Sequence, residues 1–157
     1  MKKLILPVMA VVIMLAASCK KDNPNNNTNN YSTWSFKGAS YTGDSCELYN
    51  GFFEVWPNGS NGLNNYIFIN FPSNALPGAG SYRVVPYSVF YSATVNVAVV
   101  GFTCSTGTYM STGNGSNQTL TVTVPSPGKV VVSGTGIVLL NGSGDSSTLN
   151  LNMIQTF

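Results

Sequence analysis

From Tyr31 onward, apolar and polar side chains alternate along the chain and turn residues interrupt them about every ten positions, the pattern of half-buried strands. In TLTVTV, Leu120, Val122 and Val124 fall on one face and Thr119, Thr121 and Thr123 on the other. Pro125, Ser126, Pro127 and Gly128 follow and KVVVS resumes the alternation, so a hairpin is expected. The odd positions Val89, Tyr91, Ala93, Val95, Val97 and Val99 share a face and predict one long strand. Leu149, Leu151 and Met153 alternate with Thr148, Asn150 and Asn152 in a closing strand with one wet face. Further strands are expected over 34–36, 40–48, 52–56, 66–71, 81–85, 106–110 and 136–140, with turn clusters at 57–62, 76–80, 113–117 and 141–145.

No apolar pattern at helical spacing exceeds two turns, and connections of two to nine residues suit hairpins and arches, not the helical crossovers that parallel strands need. A single sheet would leave its apolar face wet. The expected fold is therefore all-β, an antiparallel β-sandwich of about nine or ten short strands, with a lipocalin-like closed β-barrel as the alternative.

Before residue 31 the pattern is different. Lys2 and Lys3 precede an uncharged run from Leu4 to Ala17, shorter than the roughly 20 residues a membrane-spanning helix needs. Small residues Ala16, Ala17 and Ser18 then lead into Cys19, and this stretch resembles the lipobox of bacterial lipoproteins. The commonest form carries leucine three places before the cysteine; here that place is Ala16, and Leu15 stands one further back. The resemblance implies a diacylglycerol on the Cys19 thiol, cleavage before Cys19, and usually acylation of the new amino group. At about 0.8 kcal/mol per buried methylene, such chains hold a protein in a bilayer without a transmembrane helix. Lys20 follows the cysteine where an inner-membrane lipoprotein tends to carry aspartate, so the same resemblance implies the outer membrane. Residues 22–30, DNPNNNTNN, hold no apolar side chain that docks on a core and read as a flexible tether. The chain thus divides into a signal peptide over 1–18, an acylated cysteine and tether over 19–30, and a folded domain over 31–157.

The net charge of +2 is misleading, because Lys2, Lys3, Lys20 and Lys21 lie in the leader and its junction. The domain itself carries Lys37, Arg83 and Lys129 against Asp44, Glu47, Glu54 and Asp145. Three scattered cations make no basic stripe, so a nucleic-acid partner is not expected. With Cys19 lipidated, Cys46 and Cys104 remain as an even pair in an oxidising compartment, where a disulfide is expected.

The chain has no histidine, which removes the commonest general base and every Ser-His-Asp or Cys-His constellation. Glu47 and Glu54, the only glutamates, flank the 49–51 turn, and a hairpin would bring them within the roughly 5–10 Å of a glycosidase pair; the ordinary reading is two solvated strand residues. NGSGDS around Asp145 offers several oxygens but matches no dedicated calcium loop, so neither metal nor cofactor is expected. Eight Tyr, eight Phe and two Trp in a chain with few charges are the positive sign of binding. Trp34, Tyr49, Trp56, Tyr87 and Tyr109 are the candidate ligand-facing rings, Trp56 foremost because it borders the polar loop PNGSNG; the competing reading of each is core packing. The functional expectation is a membrane-anchored, exported lipoprotein with a non-catalytic binding or cell-envelope role. Its expected partners are the membrane, through the lipid, and a glycan or another envelope protein. The alternatives are a carbohydrate-binding or adhesive surface module and, further off, a glycoside hydrolase.

Overall fold

The computed structural model describes residues 31–49, 51–58, 65–72, 76–90, 96–113 and 118–156, the side chains of 44–49 excepted; the leader, Cys19 and the tether fall outside the described residues. Ten strands form: β1 Ser32–Phe36, β2 Ala39–Tyr49, β3 Phe52–Pro57, β4 Asn65–Asn70, β5 Gly80–Val84, β6 Val97–Cys104, β7 Gly107–Ser111, β8 Thr119–Ser126, β9 Lys129–Asn141 and β10 Ser146–Thr156. A short helix, α1, spans Tyr87–Phe90.

The strands make a single mixed sheet in the order β10-β1-β2-β3-β4-β6-β5-β8-β9-β7, with additional β10–β9 and β6–β7 pairings. These rejoin the sheet to itself, so among the described residues each strand has a hydrogen-bonded neighbour along at least part of both flanks. The body is all-β and unevenly wrapped, compatible with the expected β-sandwich. Alternate residues turn inward to a main core that includes Phe36, Phe53, Ile67, Phe102, Leu120, Val132, Leu139 and Leu149. Burying this apolar area at about 25 cal/mol per Å² is the chief force holding the layers together.

The hairpin expected around 125–128 is present as β8–β9, with Thr123 paired to Val131 and Ser126 to Lys129. The strand expected over 136–140 is the far half of β9, continuous with 129–133 across an irregularity. There Gly136 adopts φ +65°, and its N–H donates to Asn150 Oδ1 at 2.8 Å. Without a Cβ, glycine enters this left-handed region at little cost.

The long strand expected over 89–99 is not formed. The helix α1 takes 87–90, β6 begins at Val97 and runs on to Cys104, and 91–95 lie outside the described residues. Every residue of β6 from Val97 to Phe102 is buried, because Ala98, Val100 and Phe102 face the main core while Val97 and Val99 pack with Val85, Phe90 and Met110 in a second cluster. A strand covered on both sides reads as a continuous apolar run, so period two misplaces it. The strand β5 pairs parallel with β6 through Arg83–Val97 and Val84–Ala98, correcting the expectation of antiparallel pairing throughout.

Registry sorts the connections into two poles. Ser32 lies beside Ile154, whose N–H donates to Ser32 Oγ at 2.8 Å, and Thr156 pairs with Lys129 at the β8–β9 turn. Both ends of the described chain therefore emerge at one pole. The β1–β2, β6–β7 and β9–β10 turns gather at the other.

Candidate functional site

Alternation in β3 and β4 buries Phe53, Val55, Ile67 and Ile69 and turns Phe52, Glu54, Trp56, Tyr66, Phe68 and Asn70 to the outer face. The β3–β4 register pairs Glu54 with Phe68 and Phe52 with Asn70, which brings four half-buried rings into an unbroken series. Phe52 stacks on Phe68 at 5.5 Å and 18°, Phe68 meets Tyr66 at 6.1 Å, and Tyr66 meets Trp56 at 6.1 Å. Two glycines shape this stripe from beneath. A Cβ on Gly101, the β6 partner of Phe68, would stand 2.0 Å from Phe68 Cζ, so the ring lies over bare backbone. A Cβ on Gly43 would stand 2.0 Å from the Trp56 carbonyl oxygen and 3.0 Å from Trp34 Cη2, so β2 and β3 approach closely only because it is absent.

The β2–β3 register pairs Asp44 with Trp56 and Glu47 with Glu54. Three of the domain's four acidic residues are thus in register at the stripe, and none of its three basic residues is on β2, β3 or β4.

Across β2 from the stripe, a groove of about 410 Å³ opens on the outer faces of β10, β1 and β2. Thr33 sits at its centre, paired with Asn152 on one side and Thr42 on the other; with Tyr31 and Ile154 these make up the lining among the described residues, and none of them is charged. The same row runs on through Ser133, Thr121 and Ser81, all uncharged and hydroxyl-bearing.

A third polar group occupies the pole of turns. The β1–β2 connection is a two-residue turn with Lys37 at φ 50° and Gly38 at φ 78°, both left-handed, as the twist of a tight hairpin demands. It aims Lys37 Nζ at Asp145 Oδ2 and, at 2.8 Å, at Tyr109 Oη. Tyr109 Oη donates to Asp145 Oδ2 at 2.6 Å and lies 3.0 Å from Thr106 Oγ1. Asn141 fixes the turn carrying Asp145, its Oδ1 accepting from Ser143 N, Ser143 Oγ and Asp145 N. The hydrogen bond from Lys37, then that from Tyr109, holds the Asp145 carboxyl below the ordinary carboxylate range; the bond to Asp145, then that to Tyr109, lifts Lys37 above the ordinary amine value. This arrangement is a clamp between turns, in which Lys37, Tyr109 and Asp145 are each bonded to the other two.

Of the rings singled out by sequence, Trp56 belongs to the stripe. Trp34 and Tyr109 are core residues, 3% and 0% exposed, which corrects their place among ligand-facing rings: Trp34 stacks on Tyr41 and Tyr109 meets Phe36 edge-on. Tyr87 is exposed on α1 and is not among the rings of the stripe. Tyr49 pairs with Phe52 in register, and its side chain, like that of Cys46, lies outside the described residues. Cys104 carries a free thiol, 3.1 Å from Thr106 Oγ1 and within 3.7 Å of the Gly107 carbonyl oxygen, and three strand steps, β2 to β3 to β4 to β6, separate its backbone from that of Cys46. Phe52, Tyr66 and Phe68 were not singled out by sequence. The available signal was FFEVWP and NYIFIN, in which large side chains stand at both parities, so that whichever face is buried the other still carries rings. A scan of the chain against protein-family models finds no match, and searches of curated proteins and of solved structures return no significant similarity.

Proposed function

We propose that this chain is a lipid-anchored, exported binding protein of the cell envelope, non-catalytic, whose β3–β4 stripe holds a neutral glycan. The observation that carries the reading is the contact series Phe52–Phe68–Tyr66–Trp56 on an outward sheet face. Side chains of this size bury 150–250 Å² each on average (about that range), and a series left half open supplies an apolar platform for the C–H face of a sugar ring. Glu54 beside the rings supplies a carboxylate that accepts from hydroxyls and disfavours polyanions. The lipobox-like leader supports export and anchoring.

The test is retention of the full chain, purified in detergent, on an array of neutral and acidic glycans. Neutral glycans are expected to be held, acidic ones not, and Trp56→Ala to weaken retention about ten-fold, equivalent to 1.4 kcal/mol. Retention of nothing, or retention indifferent to both Trp56→Ala and Phe68→Ala, overturns the reading.

A second reading draws on the Glu47–Glu54 pairing, which sets two carboxylate-bearing backbones about 5 Å apart, as a glycoside hydrolase would use them. It predicts release of new reducing ends from the retained glycan, abolished by Glu54→Gln. Retention without release favours the binding protein.

A further inference from the structure

We propose that the uncharged groove on β10, β1 and β2 and the ring stripe on β3 and β4 are two ends of one track, which binds an extended neutral polysaccharide rather than a terminal sugar. The proposal rests on the glycan-binding reading above and extends it to a second subsite and to the form of the ligand.

Continuity is the first reason. Asp44 pairs with Trp56 and Gly43 with Pro57, so Thr42, at the groove's near edge, is a diagonal neighbour of Trp56 across one strand boundary, about 7–8 Å away. The N–H of Asn58 donates to the Thr42 carbonyl oxygen at 2.8 Å, which locks the two edges together. From β10 to β4 there are four strand steps of about 4.8 Å, a track of about 19 Å, longer than one sugar ring spans.

Chemistry is the second. Thr33 and Thr42 each present a hydroxyl that donates and accepts, and Asn152 an amide that does both, which suits ligand hydroxyls of either polarity. Tyr31, 48% exposed, stands at the groove as one more open ring. Among the described residues no cation lines the groove to hold a carboxylate or sulfate. At the far end of the track the Glu54 carboxylate, on the same outer face as the rings, disfavours a polyanion. A neutral polymer is the ligand that both halves accept.

The closing experiment takes a neutral glycan retained by the full chain and measures affinity for its oligomers from disaccharide to hexasaccharide by calorimetry. In the native protein, affinity climbs with length by about ten-fold or more. In Thr33→Arg, which fills the groove from an exposed outward position, the hexasaccharide binds no better than the disaccharide, while disaccharide affinity keeps its native value; Tyr31→Ala, outside the strands, shows the same flattening. Native melting temperatures in both variants establish that the fold is kept. If Thr33→Arg and Tyr31→Ala retain the full rise with length, or the native protein shows no rise, the track is refuted while the stripe stands. If no glycan is retained at the outset, the glycan-binding reading itself fails, and the track with it.

Discussion

Lys37 shows how one residue's backbone decides what its side chain can do. A non-glycine in the left-handed region costs energy, and here it is repaid by a turn that delivers the ammonium to Asp145 and to a buried tyrosine. The consequences for pH have a definite sign. Asp145 is held below its ordinary value, so its contribution is present above the unfolded carboxylate pKa of about 3.9 and disappears as pH falls through and below that point. Lys37 is held above its ordinary value, so its contribution is complete below about pH 10.4 and disappears as pH climbs past it. Thermal melts should therefore show Asp145→Asn lowering the melting temperature by a degree or two at neutral pH, with the gap to the native protein closing below about pH 4. The effect is small because both side chains are substantially exposed and screened by water. A gap that persists unchanged at low pH would assign the loss to the altered turn and not to the charge. None of this clamp was legible in the sequence: Lys37 and Asp145 are 108 positions apart, and only strand order brings their turns together.

At the scale of elements, legibility followed burial. The β8–β9 hairpin was readable because each strand has one wet face, and so was the closing strand β10 around Leu149, Leu151 and Met153. Both failures occurred where alternation loses its meaning: β6 is covered on two sides, and β9 passes through an irregularity that hides the continuity of its halves. The stripe was half legible. Trp56 was picked out by its polar neighbours, whereas Tyr66 and Phe68 needed the β3–β4 register before they could be seen as a surface. That register also ties the stripe to Gly101, and Gly101→Ala forces the Phe68 ring off the backbone. Retention of glycan should fall several-fold, as in Phe68→Ala, while the melting temperature drops only about 2–4 °C, since the displaced atoms are the far end of a rotatable side chain. Native retention in Gly101→Ala would show that the ring's position is immaterial to binding.

The whole molecule has a direction. Tyr31, the first described residue, stands beside Ser32 at the pole opposite the Lys37–Asp145 clamp. Intact-mass measurement of the protein from its native cells should give a chain beginning at Cys19 with its acyl groups attached; a soluble protein retaining Met1 would remove the anchor from the account. The rejoined sheet bears on the same setting. Molecules held on a membrane by lipid are concentrated in two dimensions, and an open strand margin would then seed edge-to-edge polymers, because each copy would offer unsatisfied N–H and C=O groups to the next. Among the described residues every strand is paired along at least part of both flanks, so crowding would offer copies only short stretches of open backbone to extend.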